Sequence, residues 1–395
     1  MHRRLLGPAC LLAATAAVVG LLAHALTGVD AGREPQMPAT PVARTVPLAL
    51  GISFGEDLTR ATPAEMEHAL DDVVALHGTW LRIDLSWTSL QPTSPSSTLW
   101  APVDRVLAAA AQRHLRVLGV LTWTPAWARS PGCEVFTCPP ADPAAFARFG
   151  AQVVTRYPTT RLAAIEVWNE PNIAKFWPRP DPAAYGRLFA ASIAAIHAVR
   201  PRTRVLVGGL AANLNRSGRR GIVEAGPFLR AACSSGRCAH AAGVAFHPYT
   251  FPRTALDGGT PLTSWQRMRR GAPGRPSLRT VMDGIGLHGV PLWVTEYGAP
   301  SQRDPQGDSP VDQAGRSNDP GLERLQADID VTGVRAAAAT PQDVLAALFL
   351  HTLQDSGVSG TGYGHFGLRR DDGTRKPAYA AVAHAFARAR AAGPR

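Results

Sequence analysis

Ile165-Glu166-Val167-Trp168-Asn169-Glu170-Pro171-Asn172 is an apolar run that breaks abruptly into Asn-Glu-Pro. Proline has no N–H to give to a ladder, so it does not continue a central strand. Glu170 is therefore expected at the C-terminal end of a strand spanning Leu162–Trp168. Similar runs lie on either side, at Val46–Phe54, Trp80–Leu85, Leu115–Leu121, Arg204–Leu210, Gly243–Phe246, Pro291–Thr295 and Gly357–Gly364. Helical candidates alternate with them: Thr62–His77, Pro102–Arg113, Pro143–Arg156, Pro182–Val199, Gly226–Ala232, Leu278–His288, Pro341–Ser356 and Pro377–Ala392. Several open with Pro at the first helical position, where its missing N–H costs nothing.

One short apolar run does not distinguish a strand from a buried helix. Eight of them in alternation with helical stretches call for a parallel sheet with crossover helices. Eight units between residues 46 and 395 favour a closed (β/α)8 TIM barrel over an open doubly wound sheet. No GxGxxG follows the first strand, and no Walker-type loop is present. Two long connections, Pro252–Pro276 and Ser301–Gly321, would rim the face where βα loops emerge.

The chain has 395 residues, 45% hydrophobic and 18% charged, which excludes a disordered chain, a coiled coil and a multi-span membrane protein. The net charge of +11 is nearly all arginine, since Lys175 and Lys376 are the only lysines. The arginines are scattered, with no basic stripe and no aromatic interleaving, so no nucleic-acid partner is expected. The excess fits an Arg- and Ala-rich composition, or attraction to an anionic cell surface. Four of the five cysteines form close pairs, Cys133 with Cys138 and Cys233 with Cys238. Each pair could close a small disulfide loop, which implies an oxidising compartment; CxxC spacing for zinc is absent.

The N-terminus agrees with export. His2, Arg3 and Arg4 precede an apolar stretch from Leu5 to Leu26, with Ala23-His24-Ala25 as a small-x-small cleavage pattern. The stretch is also long enough to span a bilayer. Residues 1–30 are thus a signal peptide or an N-terminal membrane anchor, with membrane attachment through residues 5–26. Residues 31–45 read as a linker and 46–395 as the barrel. Either way the barrel is expected outside the cell, secreted or held at its surface.

A second strand ends in a carboxylate: Leu292-Trp293-Val294-Thr295-Glu296-Tyr297-Gly298. Two carboxylates aimed at one barrel mouth suit cleavage of a glycosidic bond. One protonates the leaving oxygen, while the other attacks the anomeric carbon or activates water. Arg82 lies inside a strand that would otherwise exclude charge, which points to a site role. His247 and Tyr249 are two apart at a strand end and share a face. Trp123 and Trp127 follow the third strand and offer faces on which a sugar could stack. Trp168 reads as core, and Glu166 as a structural partner behind the site. No metal-binding motif is present, and neither a metal nor a cofactor is expected.

VWNEPN at Val167–Asn172 and VTEYG at Val294–Gly298 resemble the strand-four and strand-seven motifs of clan A glycoside hydrolases, the retaining (β/α)8 families. WLRIDLSW at Trp80–Trp87, LTWTPAWA at Leu121–Ala128 and FHPYT at Phe246–Thr250 are similar to other strand segments of that clan, in family 39 and family 5-like members. The resemblance covers residues 48 to 390. It implies that Glu170 is the general acid/base, with a raised pKa, and that Asn169 binds the sugar 2-hydroxyl. It implies that Glu296 is the nucleophile, kept ionised by Arg82 and the hydroxyl of Tyr297 or Tyr249. The carboxyl groups would then stand about 5–5.5 Å apart. Clan members often floor the central subsite with a Trp after strand eight; here Tyr363, His365 or Phe366 would substitute.

The expectation is a retaining glycoside hydrolase acting on an extracellular or cell-envelope polysaccharide or oligosaccharide. Its alternatives are a transglycosylase on the same site and a non-catalytic surface glycan-binding barrel.

Overall fold

The computed structural model describes residues 46–212, 221–302, 319–356 and 364–392. Eight parallel strands form a closed barrel in sequence order: β1 Ala49–Gly55, β2 Trp80–Ser86, β3 Arg116–Thr122, β4 Ala164–Asn169, β5 Arg204–Ala211, β6 Gly243–His247, β7 Leu292–Tyr297 and β8 Leu345–Leu350. The helices around it are α1 Asp57–Arg60, α2 Pro63–Ala75, α3 Trp87–Leu90, α4 Ala101–Gln112, α5 Pro143–Arg156, α6 Pro182–Val199, α7 Ala225–Ala232, α8 Leu278–Gly284, α9 Pro320–Ala338 and α10 Pro377–Ala391. This is the expected TIM barrel.

Local chemistry starts the helices where the sequence suggests. Thr62 and Glu65 form a reciprocal capping box at α2, satisfying two orphan backbone donors. Asp142, Asp181 and Asp319 cap α5, α6 and α9, each followed by Pro.

The eighth unit departs from expectation. The stretch expected as a helix over Pro341–Ser356 contains β8 instead. Its Leu- and Ala-rich sequence has good helix propensity. Tertiary structure overrides that, because β1 and β7 would otherwise leave two unpaired edges; β8 pairs with both. The expected strand at Gly357–Gly364 lies outside the described residues except for Gly364. The 19-residue α9 starts at Pro320, in the last two residues of the expected 301–321 loop, where the sequence reading places no helix. The N-terminal segments 1–30 and 31–45 also lie outside the described residues. Among those described, no helix is long and apolar enough to cross a membrane.

Apolar side chains seal the N-terminal end of the barrel interior. Trp80 meets Trp293 edge-on at 5.6 Å and Phe349 at 6.3 Å, with Leu118 and Leu206 in the same cluster. A larger core fills the space between strands and helices. Charged groups inside the barrel therefore lie above an apolar floor and face the C-terminal mouth.

Candidate active site

Arg82 and Glu166 point inward from β2 and β4 and are buried. The guanidinium holds Glu166 with two hydrogen bonds, Nε to Oε2 at 3.1 Å and Nη2 to Oε1 at 3.0 Å. Nη1 donates to Ser53 Oγ at 3.0 Å and to Glu296 Oε1 at 2.7 Å, and Nη2 donates to Asn169 Oδ1 at 2.8 Å. Burial opposes the Arg82 charge, but Glu166 and Glu296 outweigh it and push its pKa further up. Because Oδ1 of Asn169 accepts from Arg82, its Nδ2 donor is the end left free of the guanidinium.

The end of β4 is bent for this purpose. Trp168 and Glu170 both adopt left-handed φ values, 71° and 43°, which are costly for residues with a Cβ. The first bend reverses the strand's alternation. Trp168 turns outward and packs edge-on against Trp123 and Trp177, fully buried, as its expected core role requires. Asn169 turns inward to Arg82. Gly208 and Gly209 on β5 make room: a Cβ on Gly208 would collide with the carbonyl oxygens of Val167 and Trp168. Tyr185 of α6 repairs the interrupted ladder, its hydroxyl donating to Val167 O at 2.9 Å and accepting from Gly208 N at 2.7 Å.

Glu170 and Glu296 meet at His247. Its Nδ1 is 2.9 Å from Glu170 Oε1 and 3.6 Å from Glu296 Oε2, and Nε2 is 3.0 Å from Thr295 Oγ1. One oxygen of each carboxylate and a ring nitrogen of His247 all lie within 4.8 Å of one another. Such a trio could ligate a cation, but the Arg82 guanidinium on Glu296 already supplies the positive charge it would draw. Tyr249 donates its hydroxyl to Glu296 Oε2 at 2.8 Å. Burial would raise the Glu296 pKa, yet His247, Arg82, His351 and the Tyr249 hydrogen bond hold it well below the usual carboxylate range. Burial lowers the His247 pKa, but Glu296 and Glu170 reverse this, and the net shift is upward.

Of the residues expected in the site, the structure brings together Arg82, Asn169, Glu170, His247, Tyr249 and Glu296. Tyr297 is a correction. The β7 register shifts between Val294 and Tyr297, turning Glu296 to the mouth and Tyr297 away from it. The Tyr297 hydroxyl bonds Thr250 Oγ1 at 2.8 Å, and its ring packs against Trp265 and Gly333 of α9. Trp123 packs against Phe136, Trp168 and Phe176, and Trp127 edge-on against Trp87. Trp123 is 7% exposed; Trp127 is 37% exposed and donates Nε1 to Gln91 O at 2.8 Å. Both expected disulfides, Cys133–Cys138 and Cys233–Cys238, are formed.

The residue that follows β8 is His351, which sequence reasoning missed because β8 was read as helix. Its ring packs against Phe366 at 5.6 Å, and Phe366 packs edge-on against Tyr249. Of the residues expected after strand eight that are described, Phe366 joins the site. His365 faces Asp355, and Tyr363 lies outside the described residues. Asp84, two residues beyond Arg82 in β2, was also overlooked. Burial pushes its pKa up to about 7 against the downward pull of Arg82. Its even spacing from Arg82 within the quoted WLRIDLSW motif could have flagged it.

The sequence matches the Cellulase family profile (glycosyl hydrolase family 5) over residues 52–319. No curated protein matches the chain. Among solved structures it is similar to a family 39 glycoside hydrolase from Bacteroides cellulosilyticus WH2, with 20% identity and a TM-score of 0.62. That match covers 86% of this chain and 63% of the other, so the chain spans less than two thirds of that protein. A GH39 β-xylosidase from Caulobacter crescentus matches at 19% identity and a TM-score of 0.59, covering 88% of this chain and 72% of the other. GH5_18 from Streptomyces cattleya, solved with GlcNAc, matches at 20% identity and 0.62, covering 88% and 81%. At these identities the structural likeness speaks for the fold.

Proposed function

Because the chain belongs to glycosyl hydrolase family 5, the cellulase family, and is a glycosidase, we propose that it cleaves its O-glycosidic bond by double displacement with net retention. Glu170 is the acid/base and Glu296 the nucleophile. The observation that carries this reading is the approach of the two carboxylates, within 4.8 Å oxygen to oxygen. That is the short spacing of a retaining pair, about 5–5.5 Å, and falls below the spacing of about 6.5–9.5 Å at which an inverting pair admits substrate and water together.

In the first step the Glu170 carboxyl gives its proton to the glycosidic oxygen. Glu296 attacks the anomeric carbon as the bond to the leaving group breaks, and a glycosyl ester forms. The lowered Glu296 pKa keeps this group ionised at neutral pH. Glu170, now an anion, rests against Nδ1 of His247. In the second step the Glu170 carboxylate takes a proton from water, the hydroxyl oxygen attacks the anomeric carbon, and the ester to Glu296 breaks. Asn169 offers Nδ2 to the sugar 2-hydroxyl.

The substrate class we favour is an extracellular or cell-envelope oligosaccharide or polysaccharide, met by a protein that is secreted or held by residues 5–26. The two disulfides and the basic, then apolar, N-terminus support that location.

The test is intact-protein mass spectrometry after exposure to 2-deoxy-2-fluoro glycosyl fluorides of xylose, glucose, mannose and galactose, in wild type and Glu296→Ala. A mass gain of one glycosyl unit in wild type, lost in the variant, is expected. Equal labelling of both proteins would remove Glu296 from the nucleophile role, and labelling by no donor would count against the double displacement.

A further inference from the structure

Among the described residues, Leu99, Trp127, Val135 and Phe136 are large apolar side chains left exposed on loops of the catalytic face, after β2 and β3. Val135 and Phe136 are each 52% exposed, yet their turn is firmly held. The Cys133–Cys138 disulfide closes it, and Thr124 N–H donates to Phe136 O at 3.0 Å. Arg129 ties the loop to itself, donating to Thr124 O and Glu134 O. Ordering a turn costs conformational entropy, and this ordered turn holds two large apolar side chains in water.

The turn is continuous with the acid's own loop. Phe136 meets Trp123 edge-on at 5.6 Å, and Trp123 stacks on Phe176 at 5.6 Å and 22°. Phe176 donates its N–H to Ile173 O, and Ile173 donates its own to Glu170 O. Aromatic contacts thus run from the rim to Phe176, on the turn that follows Glu170. A general acid stands on the leaving-group side, which is the side of the loop that follows Glu170 and carries Phe176. Sugar rings carry apolar C–H faces that suit an aromatic surface.

We propose that the disulfide-clasped turn 133–138 is an aglycone-binding platform, with Phe136 as the face on which the leaving-group sugar stacks. This rests on the reading of Glu170 as acid/base and Glu296 as nucleophile. The same platform would seat an acceptor sugar. The acceptor hydroxyl then replaces water, losing its proton to Glu170 as its oxygen takes the anomeric carbon from Glu296.

The test separates the two readings. The glycosyl-enzyme is first trapped with the fluoro-sugar donors above. Its turnover is then followed by mass in buffer alone and with cellobiose, xylobiose, mannobiose or lactose. The result read is the ratio of acceptor-assisted to water rates within each variant. At least one disaccharide should accelerate turnover of wild type and of Val199→Ala, an exposed control on α6. Phe136→Ala and the double variant Cys133→Ser/Cys138→Ser should lose roughly fivefold or more of that ratio. Trapping followed by no acceleration, or by the same ratio in Phe136→Ala, overturns the platform alone. Failure to trap counts against the double displacement itself, and the platform falls with it.

Discussion

Arg82 and Glu296 form a 2.7 Å ion pair in the barrel mouth, and the same guanidinium grips Glu166 with two further hydrogen bonds. One side chain therefore joins His247 in keeping one site carboxylate ionised, neutralises a second that is buried beneath it, and orients Asn169.

Lysine at position 82 would keep the charge but lose the planar fork. Arg82→Lys is expected to lower kcat/KM on the order of 10²-fold, the scale of losing a preorganised electrostatic group. Arg82→Met leaves the Glu166 carboxylate buried without a countercharge, with only the Gly209 N–H still on it, and should cost about 3–5 kcal/mol of stability. Urea unfolding and steady-state kinetics check both; a Met variant with the wild-type midpoint would contradict the account.

The low Glu296 pKa sets an acid limit. The depressed pKa keeps the ionised form present as pH falls through about 4.3, the ordinary glutamate value. Its electrostatic contribution to stability is present above that value and is lost on further acidification. Tyr249→Phe removes the 2.8 Å hydrogen bond to Oε2 and so raises the pKa. The acidic limb of the kcat/KM profile should move to higher pH in the variant. An unmoved limb would show that Tyr249 does not tune Glu296.

Asp84 behaves in the opposite sense. Its folded pKa of about 7 lies above the unfolded value of about 3.9. The native state therefore binds the proton more tightly, and this contribution to stability is lost as pH rises from roughly 4 through 7. Asp84→Asn should flatten that part of the stability profile and leave the variant relatively more stable at pH 8 than at pH 4. Chemical denaturation at several pH values measures the slope, and identical slopes would refute the assignment.

Gly209 is a packing requirement of the site. A single methyl there would collide with His247 Nε2 and stand 2.8 Å from Glu166 Oε1. Its N–H also donates to Glu166 Oε1 at 2.8 Å. Gly209→Ala should reduce kcat by roughly 10²-fold through displacement of His247 from Glu170, while the barrel stays folded by circular dichroism. Wild-type kcat in a folded Ala variant would mean that the neighbouring strands yield freely.

Much of the site was legible because strand ends announce themselves. Glu170 before Pro171 and Glu296 after Val294 are carboxylates that terminate apolar runs, and parity places His247 and Tyr249 on one face. Parity fails where the backbone departs from a regular strand. The left-handed Trp168 exchanges the roles of Trp168 and Asn169, and the register shift in β7 removes Tyr297 from the mouth. Neither irregularity has a marker in the residues themselves. His351 went unseen for another reason: Leu345–Leu350 has local helix propensity, and only the two open edges of β1 and β7 make it a strand.

The sequence by itself determined the alternating αβ plan, the two strand-end glutamates, the paired cysteines and most helix starts. These rest on interactions between near neighbours in the chain: hydrophobic period, capping and proline's missing donor. Tertiary structure alone decided which segment closes the barrel and that Arg82 joins Glu296 to Glu166 across 214 and 84 residues of chain. It alone made Asn169 rather than Trp168 face inward. Those outcomes depend on burial and on which hydrogen-bonding partners arrive from distant strands, and no local pattern encodes either.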